Sequence, residues 1–242
     1  MLMKTTQPVI DEIRETYRMR VDFHRAEKRL TLQAKAICRR LVGGEIKDAD
    51  KLYAAVEGKG EHEQADTALG YLMPILTARG TLAEERKRAE KALQKLAKQL
   101  PVWPWVESIP GISALTLGQI IGEAGDLSNY ANPAKLWKRM GLAVIDGGRQ
   151  RRVSGADALD HGYSPTRRSV VWNMGECIVK AQVRRDKETD ESRAIGYYGQ
   201  LYLDRREHER GQVETHGHAN NRAKRYITKR VIRDLWRAWR DI

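Results

Sequence analysis

Between Ile109 and Leu142 the chain reads IPGISALTLGQIIGEAGDLSNYANPAKLWKRMGL, and the punctuation of its first half leaves the backbone few options. Pro110 fixes its own φ and Gly111 can take a positive φ, so the pair makes a tight turn. Ser113 stands where a helix N-cap belongs. Leu115, Ile120, Ile121 and Ala124 then supply an apolar side before Gly125 stops the helix. The spacing predicts a helix entered through a hairpin turn.

Helical spacing also governs the N-terminal hundred residues. Ile13, Tyr17, Val21, Leu30, Ala34, Ile37 and Leu41 recur at three- and four-residue intervals, which predicts one long helix over 10–42 ended by Gly43 and Gly44. A second helix is expected over 48–56. Gly58 and Gly60 break the chain before a third, over 61–78, in which Pro74 implies a kink or boundary. Thr81 opens TLAEERKRAEKALQKLAKQL, where Thr81 and Glu84 match a capping box and Ala89, Leu93, Leu96 and Leu100 are spaced as a coiled-coil seam. An exposed seam implies a homodimer; the competing outcome is that these helices pack on each other within one chain. Acids and bases alternate along the same helix, as on a solvated face.

PVWPWVESIP reads as a hinge, because Pro101, Pro104 and Pro110 exclude a continuous helix, and Trp103 and Trp105 are expected to anchor it. It separates a helical region with a coiled-coil segment, 1–100, from a second domain, 101–242. Beyond Leu142, AVID and RQRRV flank Gly147 and Gly148 as a short hairpin of thin apolar content. Ser164 and Pro165 suit N-cap and N1, and Val170, Val171, Met174, Cys177 and Ile178 form the buried side of the helix they open. Residues 184–217 read as a shorter helix followed by a loop that contains His216 and His218, too sparse a pair for a metal. The last helix, from Asn220 or Asn221 to Arg240, docks through Tyr226, Ile227, Val231, Leu235, Trp236 and Trp239 and turns a basic ridge outward. The expected class is all-α, with one small β-hairpin at most.

Charge narrows the partners. Lys and Arg number 44 against 32 Asp and Glu, a net charge of +12. From Lys135 to Arg152 the bases are Lys135, Lys138, Arg139, Arg149, Arg151 and Arg152, and the single acid is Asp146. That is a local positive field of the kind that nucleic acids select. Cys38 and Cys177 suggest neither disulfide framework nor zinc site, no cofactor is implied, and no apolar run approaches a membrane span, so a cytoplasmic, nucleoid-associated protein is expected. The Ile109–Leu142 stretch looks like a helix-hairpin-helix DNA-binding unit, whose helix N-terminus offers backbone N–H groups to a phosphate. The candidate nucleic-acid contacts are Pro110, Gly111, Ile112, Ser113, Lys138, Arg139, Arg149, Arg151, Arg152, Arg167, Arg168, Arg225 and Arg230. Arg167 and Arg168 oppose the dipole of their helix, a cost that a bound phosphate would remove.

The hairpin, its GD-L-S-x-Y-x-x-P-x-x-L-W-x-x-x-GL continuation, the glycine pair with arginines and the later RRSVV helix together resemble the C-terminal domain of a transposase family. The family is the insertion-sequence transposases with a RuvC-like N-terminal nuclease domain, relatives of a pilin-gene invertase and of bridge-RNA-guided recombinases. The similarity covers residues 105–182, about a third of the chain. It implies DNA transposition and recombination, with catalysis by four acidic residues of the nuclease domain and a serine of the C-terminal domain. Nothing before residue 100 reads as that nuclease; Asp11, Asp22 and Asp48 lie in helical stretches. Where the family's serine is expected this chain has Asp146 before Gly147, and Ser154, followed by Gly155, is the nearest replacement. A hydroxyl needs a base or a metal to become a nucleophile, and Ser154 has no committed partner, so a simple turn role competes with catalysis. The reading is a mobile-element DNA-binding protein without its own nuclease half. Two alternatives remain: an active recombinase whose acids come from a partner or a separate nuclease subunit, and an RNA-binding structural protein.

Overall fold

A computed structural model describes residues 3–186, 188 and 191–242, and their regular secondary structure is helical apart from two small antiparallel strand pairs. The helices are α1 (Met3–Leu41), α2 (Ile46–Val56), α3 (Ala65–Ala97), α4 (Trp103–Glu107), α5 (Ala114–Ala124), α6 (Pro133–Arg139), α7 (Asp157–His161), α8 (Pro165–Gln182), α9 (Tyr197–Arg210) and α10 (His216–Arg240). Strands β1 (Val144–Ile145) and β2 (Gly148–Arg149) pair in the expected hairpin, and β3 (Val183–Arg185) pairs with β4 (Ser192–Ala194). That second pair, followed by α9, occupies the start of the stretch read as a helix and loop; residues 187, 189 and 190 between its strands lie outside the described set.

The chain divides into two compact units elsewhere than at residue 100. One comprises Thr16–Ala92, the other Met1–Glu15 with Leu93–Ile242. Leu93 is the physical reason for the later boundary: its carbonyl would lie 3.3 Å from a Cβ placed on Gly118 of α5, so this turn of α3 belongs to the second unit.

Within Thr16–Ala92 the core consists of Ala34, Cys38, Ala49, Leu52, Tyr53, Ala68 and Leu72, flanked by Ile37, Leu41, Val42, Val56, Ile75 and Leu76. Gly43 and Gly44, both at positive φ, end α1 as expected. The proposed boundary between a third and a fourth helix is corrected, because α3 runs unbroken through Pro74, Gly80 and Thr81. Pro74 lacks only the N–H that would reach Gly70, and both residues are exposed, so water can serve the freed carbonyl. Thr81 is no N-cap; its hydroxyl donates to the Thr77 carbonyl one turn back at 3.3 Å. The capping box is therefore absent. The seam residues Ala89, Leu93, Leu96 and Leu100 are all buried within the single chain, which removes the seam as the argument for a dimer.

The second unit is organised by α10, which packs on α9, α8 and α6. Its buried face is Ala219, Ala223, Ile227, Thr228, Val231, Ile232 and Leu235, while Tyr226, Trp236 and Trp239 are only half-buried. Across α8 the buried residues are Val170, Val171, Met174, Gly175, Ile178 and Gln182; Cys177, expected inside, is exposed. In the hinge, α4 is a five-residue helix whose Val106, with Val102, Leu100 and Ile109 beside it, fills the core. Trp103 and Trp105 are half-buried, so the valines do the anchoring expected of them.

Candidate nucleic-acid interface

The hairpin forms as its residues dictate. Ser113 Oγ accepts from the Thr116 N–H at 3.2 Å and caps α5, and Gly125, at φ 75°, ends that helix. Gly111 has φ 96°, and a Cβ there would lie 2.6 Å from the Ile178 Cα and 2.7 Å from the Cys177 carbonyl oxygen. The turn is thus seated on the backbone of α8, and no residue with a side chain fits. Gln182 completes the seat: its Nε2 donates to the Pro110 carbonyl at 2.8 Å, while its Oε1 accepts from the N–H groups of Tyr198 at 3.0 Å and Gly199 at 3.2 Å. One buried amide ties hairpin, α8 and α9 together. Pro110 and Ser113 stay exposed, and Ile112 is half-buried.

The conspicuous motif after the hairpin is spent on the fold. Asp126 Oδ1 accepts from the Ser128 N–H at 2.8 Å and from Trp239 Nε1 at 2.9 Å; the Tyr130 hydroxyl donates to the Ala124 carbonyl at 2.8 Å, and the Tyr130 carbonyl accepts from Trp236 Nε1 at 2.9 Å. Asn132 caps α6 through the Lys135 N–H at 3.1 Å, and Trp137 Nε1 donates to the Lys229 carbonyl at 3.0 Å. These bonds fasten the motif to α10. Gly141, at φ 73°, leaves room for Arg168, whose Cβ would lie 3.3 Å from a Cβ at that position.

Basic residues fall into three groups. Arg139 and Arg167 meet at Glu123: Arg139 Nε donates to its carbonyl at 2.9 Å, and Arg167 Nε pairs with its carboxylate at 3.1 Å. They are thereby occupied within the chain. On α10 the outward ridge is corrected, since Lys224 pairs with Glu176, Arg222 with Glu209, Arg233 with Asp234, and Arg230 donates to the Tyr226 hydroxyl. Arg237 and Arg240 remain on the exposed side. The third group surrounds the β1–β2 hairpin. Asp146 at φ 48° and Gly147 at φ 71° make its turn, as two adjacent positive φ angles of an Asp-Gly pair do in a type I′ turn. Here Asp146 is a turn former.

Gln150, buried in the middle of RQRR, fixes this third group. Its N–H donates to the Ala143 carbonyl at 3.0 Å, its Oε1 accepts from the Ala143 N–H at 3.2 Å, and its Nε2 reaches the carbonyls of Lys138 at 3.0 Å and of His161. With the amide turned inward, Arg149 and Arg151 flank it on the exposed side, near Lys138 and followed by exposed Arg152. Arg225 lies beneath, its Nη2 donating to the carbonyls of Leu142 at 2.9 Å and Ala143 at 2.7 Å. Arg168 stacks on Trp172, 5.2 Å from the ring centroid. Burial, then Arg225 and Arg149, hold Arg168 below the ordinary arginine range; burial and Arg149 do the same to Arg225. Lys229 lies over Trp137 at 4.2 Å, and burial, with Arg225 and Arg230, lowers its ammonium as well. Among the described residues Arg149, Arg168, Arg225 and Lys229 form no ion pair, so their mutual repulsion is not offset.

Gln150 and Gln182 were missed by sequence reasoning. The one available signal was an uncharged amide interrupting a run of arginines. The hairpin and the arginine group are not brought together, for Gly111 sits against Cys177 and Ile178, about 15 Å along α8 from Arg168. Ser154 is exposed in the loop before α7 and hydrogen-bonds to no group among the described residues. His216 and His218 occupy the first turn of α10 instead of a loop, where Thr215 caps the His218 N–H at 3.2 Å. Among the described residues no group of three or more His, Cys, Asp or Glu is placed to hold a metal, and no helix is long and apolar enough to cross a membrane. No family model, curated protein or solved structure matches the chain.

Proposed function

We propose that this chain binds DNA through phosphate contacts, as a transposase-like protein of a mobile element. The observation that carries the reading is the group around Gln150: Lys138, Arg149, Arg151 and Arg152 stand exposed and form no ion pair among the described residues, over Arg168 and Arg225. A surface that only needed solubility would intersperse both signs. The N-terminus of α5, at exposed Ser113, offers a second phosphate contact on the same unit. Such contacts hold DNA in place and carry no base specificity.

Residues 3–97 form helices α1 to α3, and among the described residues Ser154 hydrogen-bonds to no group, so these residues are expected to bind without cutting. Fluorescence anisotropy on a labelled duplex across a salt series tests the binding. Four phosphates neutralised give a log–log slope of about −3.6, and affinity falls about 10²-fold between 50 and 200 mM salt. A slope near zero would falsify the phosphate reading. Strand transfer from a supercoiled donor by the pure protein, abolished in Ser154→Ala, would replace it with the enzyme reading; equal or tighter binding to a folded RNA would replace DNA as the partner.

A further inference from the structure

Arg168 is anomalous in a way that a diffuse basic surface does not explain. Its guanidinium offers five N–H donors, yet none is hydrogen-bonded among the described residues, and its Nη1 is buried without a partner. The side chain is nevertheless held, with the Trp172 ring against the guanidinium and Gly141 against its stem. Arg225 is braced by the carbonyls of Leu142 and Ala143, and Arg149 is carried on β2, whose pairing with β1 aligns Arg149 with Val144. Arg168 at Gly141, Arg225 on the Leu142 and Ala143 carbonyls and Arg149 opposite Val144 thus converge on residues 141–144 from three different elements. A half-buried, unpaired cation is costly, and in a folded chain that cost persists where a bound group of opposite charge offsets it. In the same unit, half-buried Lys224 has Glu176 and half-buried Arg233 has Asp234.

We infer that Arg149, Arg168 and Arg225 form a built site for one phosphate group, with Arg149 at its exposed mouth and Arg168 on its inner wall. Guanidinium forks match phosphate oxygens in pairs, and three of them suit a tetrahedral anion better than a carboxylate. The site deepens the DNA-binding reading and rests on it only for the natural source of the phosphate, which is either an internal phosphodiester or a strand-end phosphomonoester.

Calorimetric titration of the full chain with inorganic phosphate, at low and constant ionic strength, tests the site. The expected result is saturable one-to-one binding, weakened about tenfold or more by Arg149→Ala and by Arg168→Lys, which keeps a charge but loses the fork. Arg149 is exposed, so its variant keeps the test valid if the Arg168 variant does not fold. Absence of saturable binding, or equal binding by wild type and Arg149→Ala, overturns the site. Duplexes with 5′-phosphate and 5′-hydroxyl ends then separate the sources: tighter binding of the phosphorylated end assigns a terminal phosphate, and equal binding of both, competed by inorganic phosphate, assigns an internal one. Phosphate bound with no affinity for DNA would leave the site standing and remove the DNA reading. DNA bound with no saturable phosphate site would do the reverse.

Discussion

The two compact units handle positive charge in opposite ways. In Thr16–Ala92 the half-buried arginines are matched, Arg20 with Glu90 at 3.0 Å, Arg86 with Glu27 at 2.8 Å and with Glu90 at 3.0 Å, and Arg79 with Glu57 at 2.5 Å, and Lys35 pairs with Asp50 at 2.9 Å. Around the β1–β2 hairpin of the other unit, Arg149, Arg168 and Arg225 pair with no carboxylate among the described residues. Both regions are rich in bases, and they differ in whether the half-buried guanidiniums meet a carboxylate. A basic composition is thus a poor guide until the acids have been placed beside their partners, because a paired guanidinium presents little net field.

The largest way to break the comparison is steric. Gly111→Val is expected to destabilise the protein by about 3 kcal/mol or more, since it adds a positive-φ penalty to a clash with the α8 backbone. Gly44→Ala, also at positive φ but with open space around it, is expected to cost only about 1 kcal/mol. Chemical denaturation of the two variants compares a seated turn with a free one.

Charge removal sharpens the contrast directly. The triple change Arg149→Ala, Arg151→Ala and Arg152→Ala should lower duplex affinity about 10²-fold at low salt and flatten the salt slope by about 2.7. Removing three bases from the matched unit, through Lys35→Ala, Arg79→Ala and Arg86→Ala, should leave affinity almost unchanged. Equal losses in the two triples would show that DNA responds to overall charge alone, and that the arrangement around Gln150 has no special part in binding.

Gln182→Ala removes an amide that makes three hydrogen bonds in a buried position and is expected to cost about 2 kcal/mol. Hydrogen exchange should show the Pro110–Ser113 turn and the start of α9 loosening together. Loss of protection in only one of them would mean that Gln182 does not couple the two.

The smallest effect belongs to the matched unit. Burial pushes the Glu57 carboxyl up, but the hydrogen bond and charge of Arg79 outweigh it and hold the group below its ordinary value of 4.5. Stability from this pair is therefore full above about pH 5 and is lost as pH falls below 4.5 through the lower folded-state value. Glu57→Gln should be weaker than wild type by under about 1 kcal/mol at pH 7, with the gap closing by about pH 3 in urea midpoints. A gap that widened in acid would assign the opposite sign to Glu57.

Much of the secondary structure was legible in the chain, and the reasons are local. Gly43 and Gly44, Ser113 with Gly125, and Ser164 with Pro165 act within a few residues, through φ limits and side-chain caps, and each did in the fold what its chemistry requires. Local reasoning failed where a longer contact could override it. Pro74 and Thr81 carry the marks of a helix boundary, yet buried positions on both sides, Leu72 and Ala89, keep α3 continuous. The motif from Gly125 to Leu142 was visible as a pattern, but its purpose was not, because the partners of Asp126, Tyr130 and Trp137 lie about a hundred residues away on α10.

By itself, then, the sequence determined an all-α chain, the position of the hairpin turn and the excess of bases between Lys135 and Arg152. These follow from backbone geometry and from counting charge, neither of which needs a distant neighbour. Only tertiary structure decided which bases are free. Whether a guanidinium meets Glu123, a backbone carbonyl or nothing depends on contacts at less than 4 Å between segments far apart in the chain, and sequence order does not contain that distance. The same folding turned Gln150 inward onto the Lys138 carbonyl and left Arg149 outward.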